Sequence, residues 1–526
     1  MSEAVRSYST SGRTGYDAPS TRGGIFRRLI LAVLVCLLVW LFWTTRDTYP
    51  IERLVPRDQN FHLQAEHLLS SRLKVASSPL WNLGLLPEKY KRIPEWLGND
   101  FGLPDWVLNN LVSDVCYVSG KDFSTFSDLL VVTRMSRVGC LIERYHGFMD
   151  GIEDEYAGGL HLRRMEGSDT YYAVRGRTLA ISPSRDALIA ALSQREAESV
   201  ETLEDAISAT GGDVQGSVLL REGDPLGRYF DRADFVLTFS PDSIVFACRG
   251  IVQDKWRSTL EPLYRVSGGS PSTVPEVGAL VLSGNFGAPI PEVYRGLDGV
   301  ADGALGNYLR GHPLAANLAA GEGAPWSEFA AGLAGEMGSS FTVRWIGFDT
   351  DGAVPLPVLE LALPSGGGGI QALLGAVPAV QADRDPAGMA PYRNPETGVV
   401  HLPVGWGGIV EPAIAPAANG VRIALHPAHL DYFSEEADAP GIAGESGQLN
   451  LRVRPAEALE ILLKGGQPYA RAGLIRGHTQ QSFQESMAVA LEGIRALTEA
   501  RLSADYSDGA LSIEISIALS GPPPAG

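Results

Sequence analysis

The residues able to do chemistry fall into a few short clusters. In TLAISPSRDALIAAL, residues 178–192, Ser182, Ser184, Arg185 and Asp186 lie within five positions of one another. A serine nucleophile needs a positioned base and an oxyanion site, and neither G-x-S-x-G nor a neighbouring histidine accompanies these serines. A hydroxyl followed by proline and an early carboxylate is instead what a helix N-terminus prefers, because its first backbone N–H groups lack partners. The expectation is a strand, a cap at Ser182 and a helix.

Histidines form the second set. HPAHLD gathers His426, His429 and Asp431, and HLQAEH sets His62, Glu66 and His67 on what reads as adjoining helix positions. Zinc requires three or four convergent ligands, and neither group carries H-E-x-x-H, so no metal and no cofactor is expected. Two acidic clusters follow: DTDG at Asp349, and MDGIEDEYAGG with Asp150, Glu153, Asp154 and Glu155. Glu360 stands at the calcium-loop distance from Asp349, but the fifth and ninth positions offer no carboxylate or amide, so DTDG reads as a hairpin turn. SGGGG before Ile370 lacks the Lys-Ser/Thr of a phosphate loop and reads as a link. For a hydrolase assembled from distant segments, Asp431, His426, His429 and Glu360 are the first suspects.

The elements that would position these residues recur in pairs. TLAISPSRDALIAAL has a counterpart in VRIALHPAHLDYF, with Ser182 and His426 read as occupying the same place. DLLVVTRMSRVGCLIE parallels PVLELALPSGGGGIQALL, and PDWVLNNLVSDVCYVSG parallels APWSEFAAGLAGEMGSSFTVRW. Downstream, GSVLLREGDPLGRYF parallels GQLNLRVRPAEALEILL, and ADFVLTFSPDSIVFACRG parallels ARLSADYSDGALSIEISIALSG. Five pieces recurring in one order indicate a duplication. The second copy adds QQSFQESMAVALEGIRALTEA, whose apolar residues fall on one helical face and are expected to cover the sheet. LSIEISIAL alternates as an antiparallel strand with one wet face.

A chain of 526 residues with 45% hydrophobic and 20% charged residues has globular composition and more length than one core takes. Its net charge of -18 argues against nucleic acid, which requires clustered Lys and Arg. The uncharged run between Arg28 and Arg46 reads as a membrane anchor, with basic residues placing the N-terminus in the cytoplasm. Outside it, Cys116, Cys140 and Cys248 allow at most one disulfide, and no Asn-x-Ser/Thr acceptor occurs.

The expected organisation is a cytoplasmic basic tail over 1–28, a transmembrane helix over 29–45, a helical neck over 46–93, a first α+β half over 94–265 and a second over 276–521. Each half is expected as an antiparallel sheet with helices on one face. The order of pieces, a helix with an early Trp, a strand pair, LLVVTR entering a helix and then TYYAVRGRTLAISPSRDALIAAL, resembles uncharacterised bacterial membrane-anchored proteins built on a domain of unknown function. That resemblance implies architecture and no activity. The resulting expectation is a single-pass protein of the bacterial inner membrane whose periplasmic body binds or scaffolds without catalysis. Its partners would be the membrane through 29–45 and an envelope protein or a lipid-like ligand, with no nucleic acid; the alternative is the envelope hydrolase.

Overall fold

The computed structural model of the chain describes residues 21–46, 49–66, 68–78, 81, 105–112, 115–121, 128–145, 152–157, 159–165, 170–194, 198–200, 207, 211–220, 226–264, 278–301, 303–304, 307, 325–351, 354–364, 369–380, 391–402, 410–417, 420–433 and 448–520. The basic tail over 1–20, His67, Asp150, the Gly-rich link over 365–368 and the join over 265–277 lie outside the described residues. In chain order the first half comprises α1 (Thr21–Thr44), a 3-10 turn (Ile51–Leu54), β1 (Phe61–Glu66), α2 (Leu68–Ala76), α3 (Asp105–Leu111), β2 (Val115–Gly120), β3 (Leu130–Arg134), α4 (Arg137–Tyr145), β4 (Ile152–Ala157), β5 (Leu160–Met165), β6 (Tyr171–Arg175), β7 (Thr178–Ser182), α5 (Arg185–Ser193), β8 (Val214–Leu219), β9 (Phe230–Phe239), β10 (Ser243–Val252) and α6 (Asp254–Tyr264). The second comprises β11 (Leu280–Asn285), α7 (Ile290–Val300), α8 (Pro325–Glu336), β12 (Ser340–Asp349), β13 (Leu356–Pro364), α9 (Gly369–Ala376), β14 (Tyr392–Arg393), β15 (Val400–His401), β16 (Ala413–Ala417), β17 (Gly420–Ala424), a 3-10 turn (Pro427–Phe433), β18 (Leu449–Val453), α10 (Pro455–Arg471), α11 (Gln480–Ile494), β19 (Leu497–Ser507) and β20 (Ala510–Leu519).

Among the described residues the twenty strands belong to one sheet, and every named strand pair is antiparallel. From edge to edge the pairings run β4-β5-β6-β7-β3-β2-β1-β8-β9-β10 and then β20-β19-β18-β11-β12-β13-β17-β16-β15-β14. Read inward from either edge, the order is the same once ten is added to each first-half strand number. The halves meet where β10 pairs with β20, from Ser243↔Ala518 to Ile251↔Ala510.

This corrects the expected fold class, which divided the chain into two sheets with helices on one face. The protein is sheet-dominated, its sheet is continuous, and helices lie on both of its faces. Leu188 and Leu192 of α5 join Leu130, Val132 and Ala180 in one core, whereas Cys140 of α4 and Leu111 of α3 join Leu179 and Ile181 in another. Ala180 and its two neighbours on β7 point to opposite faces, because side chains alternate along a strand. The second half repeats the arrangement: Phe329, Leu333, Ile370 and Leu374 of α8 and α9 cover Leu361 and Ile423, while Leu430 of the second 3-10 turn packs on Ala424 from the other side. The segment expected as a helical neck is helical only in part, and it places β1 inside the sheet between β2 and β8.

The transmembrane helix is also corrected. Among the described residues no helix is long and apolar enough to cross a membrane. After Arg28, α1 continues from Leu29 to Thr44, about 24 Å at 1.5 Å per residue, against roughly 30 Å of hydrocarbon. The single-pass anchor and the inner-membrane placement go with it. At its C-terminal end α1 meets the folded body: the Arg137 guanidinium lies 4.2 Å from the Phe42 ring centroid, and buried Thr45 donates its hydroxyl proton to the Leu41 carbonyl at 2.6 Å.

The helix expected to cover the sheet, α11, packs instead on α10, where Gly466 makes room for the Phe483 ring. It is α10 that lies on the sheet, against β12 and β19. Its close approach depends on Gly465, since a Cβ there would sit 2.3 Å from Phe348 Cγ. Gly465→Val should therefore lose about 1–3 kcal/mol of stability through overpacking, read as a lowered urea midpoint, whereas Gly473→Asn, at a φ of 71° with open space around it, should change it by under about 1 kcal/mol.

Candidate functional site

Period-two alternation gives the sheet two chemically different faces. One row runs Leu237, Phe246, Ile515, Leu502, Leu451, Leu282, Val343, Leu361 and Ile423 across β9, β10, β20, β19, β18, β11, β12, β13 and β17. Every member is apolar. A neighbouring row holds Phe235, Cys248, Ile513, Ala504 and Leu449. Gly216 lies beside it and leaves the space taken by the Phe235 ring and Leu63, which stand 2.7 and 2.6 Å from where a Cβ would be.

These central residues are only half-buried, whereas Ile414 and Val400, further along on β16 and β15, are fully buried. The half-exposed stretch is framed at the two ends of the strands. At one end, Val75 of α2 packs with Phe239, Ile244, Leu497, Ile517 and Leu519. At the other, Leu260 and Leu263 of α6 and Val293 and Leu297 of α7 pack with Phe286, Phe341 and Leu449. The result is an apolar trough running across the strands. The frame is tied down at Asp213, whose carboxylate accepts from Ser71 Oγ at 2.9 Å, Lys74 Nζ at 3.1 Å and the Phe239 N–H at 2.7 Å. Burial alone would raise its pKa, but the Phe239 N–H, Lys74 and Ser71 together hold it below the usual carboxylate range.

Across the central strands the opposite face is mainly polar. Ser119, His62, Ser217, Asp234, Arg249, Ser512 and Asp505 share one row, and Arg501, Arg452, Arg344 and Glu360 stand on another. Glu360 is fully buried; its Oε2 accepts from Arg344 Nε at 2.8 Å and from a second Arg344 nitrogen, and its Oε1 lies 3.5 Å from Arg422. This hydrolase suspect is thus the anion of a buried ion cluster.

His426 and His429 do come near a carboxylate, though not the expected one. His429 is fully buried with Nε2 3.3 Å from Asp349 Oδ2, and the His426 and His429 ring centroids are 5.6 Å apart. Burial lowers the His429 pKa, with Asp349 opposing it; Asp349 is held low first by the Asp351 N–H, which donates to its Oδ1 at 3.0 Å as in a turn. Asp431 is exposed. The imidazole has no exposed surface, and the partly exposed carboxylate is engaged in a turn.

The serines of the opening cluster are structural, with one change of register. The N-cap is Ser184, whose Oγ accepts from the Ala187 N–H at 3.2 Å, while buried Ser182 accepts from the Ser184 N–H at 3.0 Å. His426 takes the place of Ser184, immediately before its own turn, with Nδ1 accepting from the Ala428 N–H at 3.3 Å. HLQAE is strand β1, so His62 and Glu66 share a face rather than a helix. Glu153, Asp154 and Glu155 form edge strand β4, where Asp154 pairs with His161 at 2.8 Å and Glu155 with Arg185 at 2.6 Å; charges there discourage another chain from pairing with the edge. All four cysteines are free, and burial pushes the Cys116 thiol to about 11. The trough itself escaped the sequence reading, although the alternation of LSIEISIAL was its signal.

No protein-family model and no curated protein matches the chain. Among solved structures, crystal form III of TP0453 is 10% identical over 42% of this chain and 91% of that chain, with a TM-score of 0.23. Form I is 10% identical over 40% and 81%, and form IV 11% over 43% and 91%, each with the same TM-score. At such values the likeness carries no argument.

Two outcomes follow from the polar face. Burial, with the Arg232 charge second, lowers His62 from 6.5 to about 4. The unfolded chain therefore binds the extra proton first: the contribution is complete above pH 6.5 and is lost as pH falls toward 4, by up to about 3 kcal/mol. Urea denaturation across that window should show His62→Phe with a flatter profile than the parent. Glu360→Gln leaves two guanidinium groups facing a neutral amide and should cost about 3–5 kcal/mol, against under about 0.5 kcal/mol for Glu457→Gln in an exposed pair with Arg454.

Proposed function

We propose that this protein is a non-enzymatic binding protein that holds an elongated, lipid-like ligand in the apolar trough. The observation that carries the reading is the half-exposed row of large apolar residues on the central strands. Scattered surface hydrophobics need no explanation, but a contiguous apolar strip does. From β9 to β11 the row crosses six strands, about 24 Å at a spacing of about 4.8 Å, longer than the roughly 15 Å that one bilayer leaflet gives a hydrocarbon chain. Helices at both strand ends leave a strip rather than a plane, which suits a chain-shaped ligand better than a broad protein surface. A ligand losing about 300 Å² of apolar surface would gain about 7.5 kcal/mol, which corresponds to micromolar affinity.

The test is titration of the purified full chain with cis-parinaric acid, accompanied by native mass spectrometry for co-purifying lipid. Ile515→Glu puts a charge on the trough floor and should weaken binding at least about tenfold. Ser516→Glu, on the other face, should leave it unchanged. Equal binding by both variants, or none by the parent chain, would overturn the proposal; a stable dimer that buries the strip would do so as well.

A further inference from the structure

Because strand order repeats, the halves can be compared place by place. β1 and β8 start at Phe61 and Val214, and their counterparts β11 and β18 at Leu280 and Leu449. Leu63 therefore answers to Leu282 and Gly216 to Leu451, and one strand further on the registers set Phe235 against Leu502. At the seam β10 starts at Ser243 and β20 at Ala510, and the central pair is Ala247↔Glu514. An approximate twofold axis passes between that pair. It exchanges Phe246 with Ile513 and Cys248 with Ile515.

This axis gives the trough two arms. It carries Leu282, Leu451, Leu502 and Ile515 of one row onto Leu63, Gly216, Phe235 and Cys248 of the neighbouring row. All but Gly216 are half-buried. The frames obey the same relation. In the first half the α2 frame packs against Leu237, which leaves the row of Phe235 open, and in the second the α6 and α7 frame packs against Leu449, which leaves the row of Leu451 open. Both rows are open together only at the seam, where Phe246 and Ile515 stand beside Cys248 and Ile513.

Length then decides how much the trough holds. From Leu63 on β1 to Leu282 on β11 the path crosses seven inter-strand spacings of about 4.8 Å, or about 34 Å. Each arm is about 17 Å, close to the roughly 15 Å that one leaflet gives a hydrocarbon chain. A single chain of that length would fill one arm and leave its equivalent, with the same apolar floor, facing water.

We infer that the trough binds two single-chain amphiphiles, one in each arm, with their tails meeting over the β10-β20 seam. This rests on the lipid-binding reading above and adds the number and direction of the chains. The seam, where both rows are open, is the widest apolar part of the floor and takes tails rather than polar heads.

Native mass spectrometry of the full chain titrated with cis-parinaric acid counts the bound copies. The expected result is two per chain, one in Leu63→Glu, one in Leu282→Glu and two in Ser516→Glu on the other face. A fatty acid with a pyrene at its tail should give excimer emission in the parent and monomer emission alone in either single-arm variant. The parent stoichiometry and excimer need no variant, so they carry the test if either arm variant fails to fold. One copy in the parent would overturn the inference while leaving the lipid-binding reading intact, whereas no copy would overturn both. Two copies that survive both arm variants, or two without excimer emission, would also overturn it.

Discussion

Where β10 meets β20, nine residue pairs from Ser243↔Ala518 to Ile251↔Ala510 join the two halves edge to edge. Each strand otherwise would present a row of unpaired N–H and C=O groups, and pairing removes both rows at once. The pairing also fixes phase. Side chains alternate with a period of two, so a shift of one residue at this seam would turn the apolar row of one half against the polar row of the other. As built, Phe246 stands beside Ile515 and Arg249 beside Ser512. The apolar trough and the polar face are both continuous because of that register.

The seam also explains where helices are missing. In each outer part, the cores lie on both faces, with α3 and α4 opposite α5, and α8 and α9 opposite the second 3-10 turn. The central strands are long, ten or eleven residues each, and the helices near them pack at their ends. Among the described residues, a strand residue there has hydrogen-bonded neighbours on either side, and the helices near it are those of the two frames and α10 against β12 and β19. Hence Phe246, Ile513 and Ile515 are half-buried while apolar residues of similar size under the outer helices are closed off. On the other face, polar residues meet water at the centre, and Arg249 and Glu514 are exposed there. Towards the second-half flank the same face closes over Glu360 and Arg344, which stand opposite each other on neighbouring strands, so that each buried charge there faces its counter-charge.

Much of this plan could be read from the chain because the recurring pieces are local. A strand running into a helix leaves its mark within about twenty residues, and the quoted pairs fall on β3 with α4 and β13 with α9, on α3 with β2 and α8 with β12, and on β9 with β10 and β19 with β20. The cap falls two residues later than the Ser-Pro pattern suggests, because the helix begins at Arg185 and not at Pro183. What could not be read is whatever depends on pairing at long range. Nothing near Ser243 says that it opposes Ala518, and without that pair two sheets are as good a reading as one. The same limit hid the Arg344–Glu360–Arg422 cluster: its members are recognisable as charged residues in apolar strands, but only the β12-β13-β17 order makes them neighbours. The half-turn at DTDG was legible; that it would receive His429, 80 residues later, was not.

Duplication with divergence then gives each feature a different relation to the two copies. The trough lies across the seam, so neither half contains it alone, and a loss of register there would dismantle it without unfolding either outer core. The ion cluster and the His429–Asp349 contact occur on the second copy, at the place where the first keeps Ser119, Leu130 and Ala187 and an open cleft. Filling that place with paired charge leaves Glu360 and His429 no exposed surface, and a buried charge that is already paired gains little from a further partner. Glu360 and His429, which looked able to do chemistry in the sequence, are therefore committed to holding the fold together, while the apolar trough is formed by residues whose types alone announce nothing.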